Sequence, residues 1–142
     1  MKRILVALDS SPRAPMVLEA AARLAELVGA KLLLFRAVTV PPDLPDDIFT
    51  VTDLRLEELL LGNARGDLAN LAKQVPADRI EKSITTFATA WDGICRTARD
   101  ENVDLIVIGS HGYAGLDRLL GTTASKVVNH ADRNVLVVRA AV

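Results

Sequence analysis

The chain has 142 residues, half of them apolar and a quarter charged, a balance that fits one folded domain and excludes an intrinsically disordered chain. A net charge of −1 gives no electrostatic reason to expect nucleic acid or an anionic membrane as partner. The few aromatics (Trp91, Tyr113 and three Phe) argue against a base-stacking surface, and the lone Cys95 excludes a disulfide framework or a Cys-rich metal cluster.

Residues 4–8 (Ile-Leu-Val-Ala-Leu) form a continuous apolar run halted by Asp9-Ser10-Ser11-Pro12. This reads as a strand buried on both faces, then a turn with helix-start chemistry. Lys2 and Arg3 precede the run, yet five residues are too few for the core of a secretion signal. No apolar stretch approaches the ~20 residues needed to span a bilayer, so the expected location is cytoplasmic. Residues 14–28 carry Val17, Leu18, Ala21, Leu24, Ala25 and Val28 at helical spacing, and Gly29 ends that helix. Residues 31–38 are a second apolar strand. Pro41-Pro42-Asp43-Leu44-Pro45-Asp46-Asp47 reads as a loop.

From residue 48 to about 75 the pattern is helical again, through Leu54, Leu56, Leu59, Leu60, Leu68, Leu71 and Ala72, until Pro76. Gly62 and Gly66 predict a weak middle, where a break can occur. Residues 79–87 form a third strand, alternating and less apolar, as an edge strand would be. Residues 91–102 are a helix with Ile94, Cys95 and Ala98 inward. Residues 104–109 (Asp-Leu-Ile-Val-Ile-Gly) are the clearest buried strand, residues 122–131 a helix, and residues 134–139 the last strand. The order predicts an α/β fold in one domain, residues 1–142: a five-stranded parallel sheet with helices on both faces. Ligands of such sheets settle beyond the carboxyl ends of the strands, where strand order reverses. Asp9 and Gly109-Ser110-His111-Gly112 stand at two such ends.

The stretch from Gly109 to Thr123 is rich in small residues, which lets backbone N–H groups converge on an anion. Gly121-Thr122-Thr123 then opens a helix, whose free N–H groups and dipole favour a phosphate. Ser110, Thr122 and Thr123 add hydroxyl donors. A plain Gly-rich turn with a Thr-capped helix is the simpler alternative. Other phosphate signatures are missing: no Gly is followed by Lys, and no G-x-G-x-x-G follows the first strand. The third strand ends Thr85-Thr86-Phe87, without the Asp of a phosphorylatable receiver.

Residues 105–112, the spaced glycines to Gly121-Thr122, the helix at 124–132 and Val135-Leu136-Val137-Val138-Arg139 resemble the universal stress protein family. Ile4-Leu5-Val6-Ala7-Leu8-Asp9-Ser10-Ser11 resembles the family's first strand and Asp-x-Ser turn, so the likeness extends over the whole chain. The resemblance implies a Rossmann-like fold of the adenine nucleotide alpha hydrolase type. It also implies a site for ATP, with Mg²⁺ arriving on the nucleotide and Asp9 placed to join it. The family's G-x-x-G-x(9)-G-[ST] loop maps onto Gly109, Gly112, Gly121 and Thr122, with Ser110, His111 and Thr123 beside them. Asp9, flanked by Ala7 and Leu8, would face adenine or ribose. Ala37 and Val38 would wall the adenine, and Ile108 would lie under the nucleotide. Two departures stand out: eight residues, one fewer than usual, separate Gly112 from Gly121, and Ala88 replaces a common Gly.

The resemblance further implies a homodimer formed through the last strand, Val135 through Arg139, paired with its twin. The function it implies is a stress-response sensor or regulatory module with slow or no hydrolysis. Two other readings stay open: a nucleotide hydrolase or phosphoryl-transfer enzyme, with His111 as its one candidate base, and a scaffold with an empty site. No nucleophile–base–orienter set assembles, so no catalytic residue is assigned. His130 and Cys95 read as structural, and Asp117-Arg118 as a solvated pair from which Arg118 can reach a phosphate.

Overall fold

The computed structural model describes residues 1–39, 53–110 and 120–139. Its elements are β1 (Arg3–Ala7), α1 (Ala14–Val28), β2 (Lys31–Val38), α2 (Asp53–Ala72), a 3-10 turn (Ala77–Arg79), β3 (Ile80–Phe87), α3 (Ala90–Asp100), β4 (Leu105–Gly109), α4 (Thr122–His130) and β5 (Asn134–Val138). The five strands pair in parallel in the order β3-β2-β1-β4-β5. The expected α/β architecture is therefore present, and β3 stands at the sheet edge its composition suggested.

Successive side chains of a strand point to opposite faces, so the central strands feed two cores. Ile4, Val6, Leu32, Leu34 and Val107 pack with Val17, Leu18 and Ala21 of α1 and Leu68 of α2. Leu5, Leu33, Phe35, Ile106 and Ile108 pack with Ile94, Cys95 and Ala98 of α3 and Val127 of α4. Each fully buried large aliphatic side chain contributes roughly 1.5–3 kcal/mol, so these two layers hold the fold. Cys95 lies in the second core, where burial raises its thiol pKa, and its structural reading stands.

The weak point expected at Gly62 and Gly66 does not break α2, which is continuous. Both glycines lie on the exposed side, where a Cβ would meet nothing within 4 Å. Ala64 and Leu68 bury the opposite side and hold the helix to the sheet. Residues 48–52, expected to open this helix, and the loop expected at 41–47 lie outside the described residues. At the end of α1, Gly29 adopts φ 73°, a conformation that a side chain disfavours. Two arginines satisfy carbonyls near helix ends: Arg79 donates to Ala25 O and Ala30 O at 3.4 and 3.3 Å, and Arg133 to Ala98 O and Val103 O at 2.8 and 3.0 Å.

The amino-terminal end of the sheet carries a charge network. Arg3 pairs with Glu81 and with Glu101, which also takes Lys82 at 2.8 Å. Asp104 accepts the N–H groups of Lys2 and Arg3 at 2.7 and 2.9 Å. The Arg3 hydrogen bond depresses the Glu81 pKa, those of Lys82 and Arg3 depress Glu101, and the two backbone donors depress Asp104. A carboxylate whose pKa is lower folded than unfolded adds stability above its unfolded value and loses it as pH falls through the folded one. The melting temperature should therefore be flat from pH 7 to about 5 and decline from there to about pH 3. Glu101→Gln should make that decline shallower; an unchanged slope in thermal melts would show that Glu101 carries none of the pH dependence.

Candidate functional site

Strand order reverses at β1, whose neighbours β2 and β4 lead away in opposite directions. The crossovers leaving β1 and β4 therefore diverge, and a crevice opens above their carboxyl ends. A cavity of about 280 Å³ occupies it. Ala7, Leu8 and Asp9 line it from the end of β1, Ile108 and Gly109 from the end of β4, Ala37 from β2, and Thr122 and Thr123 from the start of α4. The structure thus brings together eight of the residues selected from the sequence.

Local bonds fix the rim. Asp9 Oδ1 accepts the Ser11 N–H at 2.9 Å, and Ser11 Oγ accepts the Arg13 N–H at 3.2 Å, which turns the chain from β1 into α1. Across the crevice, Gly121 is the N-cap of α4 and offers no side chain to cap it. Neither does an acidic residue occupy the first turn of α4, so the positive end of that helix faces the cavity uncompensated by its own carboxylates. Such an arrangement can bind an anionic group over α4 and a polar, uncharged group beside Asp9.

Three other predicted residues frame the cavity without lining it. Ser110 is buried, donates its N–H to Val138 O at 2.9 Å and accepts the Gly121 N–H at 3.1 Å. Those two bonds lock the start of α4 to the ends of β4 and β5. Val38 is buried, and its carbonyl accepts the Ala88 N–H at 3.2 Å. His111 and Gly112, like Tyr113, Asp117 and Arg118, lie outside the described residues.

The sequence model of the universal stress protein family matches residues 1–139. The chain belongs to the universal stress protein family. Universal stress protein A homolog 1 of Coxiella burnetii is 33% identical over 138 residues, covering 96% of this chain and 95% of that protein. Among solved structures, universal stress protein UspA from Lactobacillus plantarum superposes with a TM-score of 0.78 at 25% identity, covering 97% of each chain. The universal stress protein from Archaeoglobus fulgidus, solved in complex with dAMP, shares the fold with a TM-score of 0.60 at 22% identity over 98% of each chain.

Within this universal stress protein fold, several lining residues had no motif to betray them. Phe35, Ala90, Ile94, Ala14, Val17 and Ala124 complete the cavity wall. Phe35 was within reach of sequence reasoning, because it shares a strand face with Ala37 two positions on. Arg36, between them, was the stronger missed signal: a guanidinium inside an apolar strand must find partners. It is 7% exposed and donates to the Leu8 and Asp9 carbonyls at 3.1 and 2.6 Å and to Asp67 of α2 at 2.8 Å. His130 stays structural, its ring 4.7 Å from that of Trp91 and its Nδ1 2.8 Å from Lys126 O.

Proposed function

We propose that this universal stress protein binds an adenine nucleotide, ATP carrying Mg²⁺, and acts as a cytoplasmic, dimeric stress-response sensor or regulatory module. The observation that carries the reading is the convergence of Asp9, Gly109 and the Thr122-Thr123 start of α4 on one cavity at the strand-order reversal. The dAMP complex of the Archaeoglobus fulgidus protein supports a nucleoside phosphate as ligand of this fold. In the proposed pose Ala7, Leu8, Ala37 and Ile108 cradle the base and ribose beside Asp9. Thr122 and Thr123 meet phosphate together with His111 and Gly112. Val38, Ser110 and Gly121 hold the frame.

Among the described residues no three His, Cys, Asp or Glu side chains gather as a metal site. In the proposed pose Asp9 is the residue placed to join Mg²⁺, with phosphate oxygens and water supplying the other ligands. Asp9 is the one titratable side chain among the described cavity-lining residues; His111, the one candidate base for turnover, lies outside them.

The test is to denature the purified protein and identify what it releases, then measure affinity for added ATP. Intact ATP, or micromolar affinity without turnover, is expected. ADP accumulating with turnover, abolished by His111→Ala, would assign the site to an enzyme. No nucleotide and no affinity would leave a scaffold.

The dimer half of the reading rests on β5. It is a sheet edge whose residues are partly or fully exposed, Leu136 to 40%. An apolar edge strand invites a second strand, and a two-fold axis supplies an identical one. The wild-type chain should sediment as a dimer at micromolar concentration. Leu136→Lys, which sets like charges near each other at that edge, should shift it to monomer; a wild-type monomer would overturn the assignment.

A further inference from the structure

The geometry points to Arg36 as the positioning residue of the nucleotide site: its guanidinium fixes the carbonyls of Leu8 and Asp9, and with them the Asp9 side chain, against an anchor on α2, Asp67. This inference rests on the nucleotide reading above. Arg36 belongs to the strand face opposite Phe35 and Ala37, and it is not among the cavity-lining residues, so it acts on a ligand only through the end of β1.

The arrangement is demanding. The Leu8 N–H donates to Phe35 O at 2.8 Å, the last rung between the β1 and β2 chains. Beyond that rung the chain leaves the sheet, and its next two carbonyls take the Arg36 Nε and terminal N–H groups instead. Burying a guanidinium costs several kcal/mol unless its donors are met, and an apolar residue would fill the position with no such cost. What arginine adds is direction, three planar donors set toward three acceptors on two elements. The Asp9 carboxylate is tied to the same turn through Ser11, so its aim follows the backbone that Arg36 holds. The third bond ends on Asp67, whose side chain is 59% exposed. That half-solvated pair adds little stability, but it passes any displacement of α2 to Asp9 through one side chain.

The experiment is a double-mutant cycle on the full chain: ATP affinity by calorimetry for wild type, Arg36→Met, Asp9→Ala and the double variant. Amide exchange is followed on the nucleotide-free proteins. Arg36→Met should weaken ATP binding about tenfold, the scale of one lost charge-assisted hydrogen bond. On the Asp9→Ala background it should add less than about a twofold loss, because residues that act through one another are not additive. Fully additive losses would overturn the proposal. In the exchange arm the amides of Ser10, Ser11 and Arg13 should open at least about tenfold faster in Arg36→Met while those of β4 stay unchanged. A rise shared equally by β1, β2 and β4 would reduce Arg36 to a general core residue. Should Arg36→Met fail to fold, Arg36→Lys carries the same cycle, since one ammonium keeps the charge but cannot reproduce the three directed bonds. Failure of the wild type to bind ATP would sink the nucleotide reading, and the exchange arm would still decide the positioning role.

Discussion

Ala37→Trp is expected to abolish nucleotide binding while the protein stays folded. Ala37 stands near the carboxyl end of β2, is only half-buried, and its side chain borders a cavity of about 280 Å³. An indole at that position occupies the space an adenine ring would take, but it grows into open volume instead of packed core. The steric cost falls on the ligand and spares the neighbouring strands. A loss of at least about 100-fold in ATP affinity, equivalent to about 2.7 kcal/mol, should appear in calorimetry. The melting temperature should move by only a few degrees. Affinity within about threefold of wild type would place the nucleotide elsewhere.

The second large effect is structural. Phe35 is 1% exposed, forms part of the cavity floor, and packs in the core between the sheet and α3. Phe35→Ala should cost about 3–5 kcal/mol, the usual sum of lost transfer energy and residual void. In a chain of this size each kcal/mol moves the melting temperature by roughly 2–4 °C, so a fall of about 6–20 °C should be seen. Its ring also abuts Gly93 of α3, where an added Cβ would stand 3.2 Å from Phe35 Cζ and 3.0 Å from Ala88 Cβ. A side chain at 93 would therefore press on Phe35 and Ala88, which would have to shift by a few tenths of an ångström to admit it. A loss below about 1 kcal/mol would show that the surroundings collapse onto the vacated space.

The sheet was readable because its strands are fed by two helical layers: Leu5, Leu33 and Ile106 face one, Ile4, Leu32 and Val107 the other. Strands buried on both sides become continuous apolar runs, and Gly29 and Pro76 punctuate the helices between them. The polar rim was readable for a different reason. Asp9 ends an apolar strand, and the Thr pair opens a helix after a Gly-rich stretch, so local chemistry marked each place before any contact was known. The cavity floor was not readable in this way. Ile94 and Ala124 look like any inward helical residues, and only the crossing of α3 and α4 over the sheet turns them toward the cavity. Arg36 escaped because its partners are 27 to 31 residues away along the chain, beyond any local pattern. The loop spacing between Gly112 and Gly121, by contrast, remains a statement about sequence, since residues 111–119 lie outside the described ones.

The register of the two central strands has a consequence for synthesis. Ile4 pairs with Leu105, and so the halves of the crevice leave the ribosome about a hundred residues apart. At ~5–20 residues per second the first half waits roughly 5–20 s for the second. During that interval the β4-facing edge of β1 is open along Ile4, Leu5 and Val6, the kind of apolar surface that chaperones cover and aggregates recruit. A ligand that needs both halves can recognise only the finished chain. Its binding energy is therefore withheld from every partly made intermediate and delivered whole to the native state.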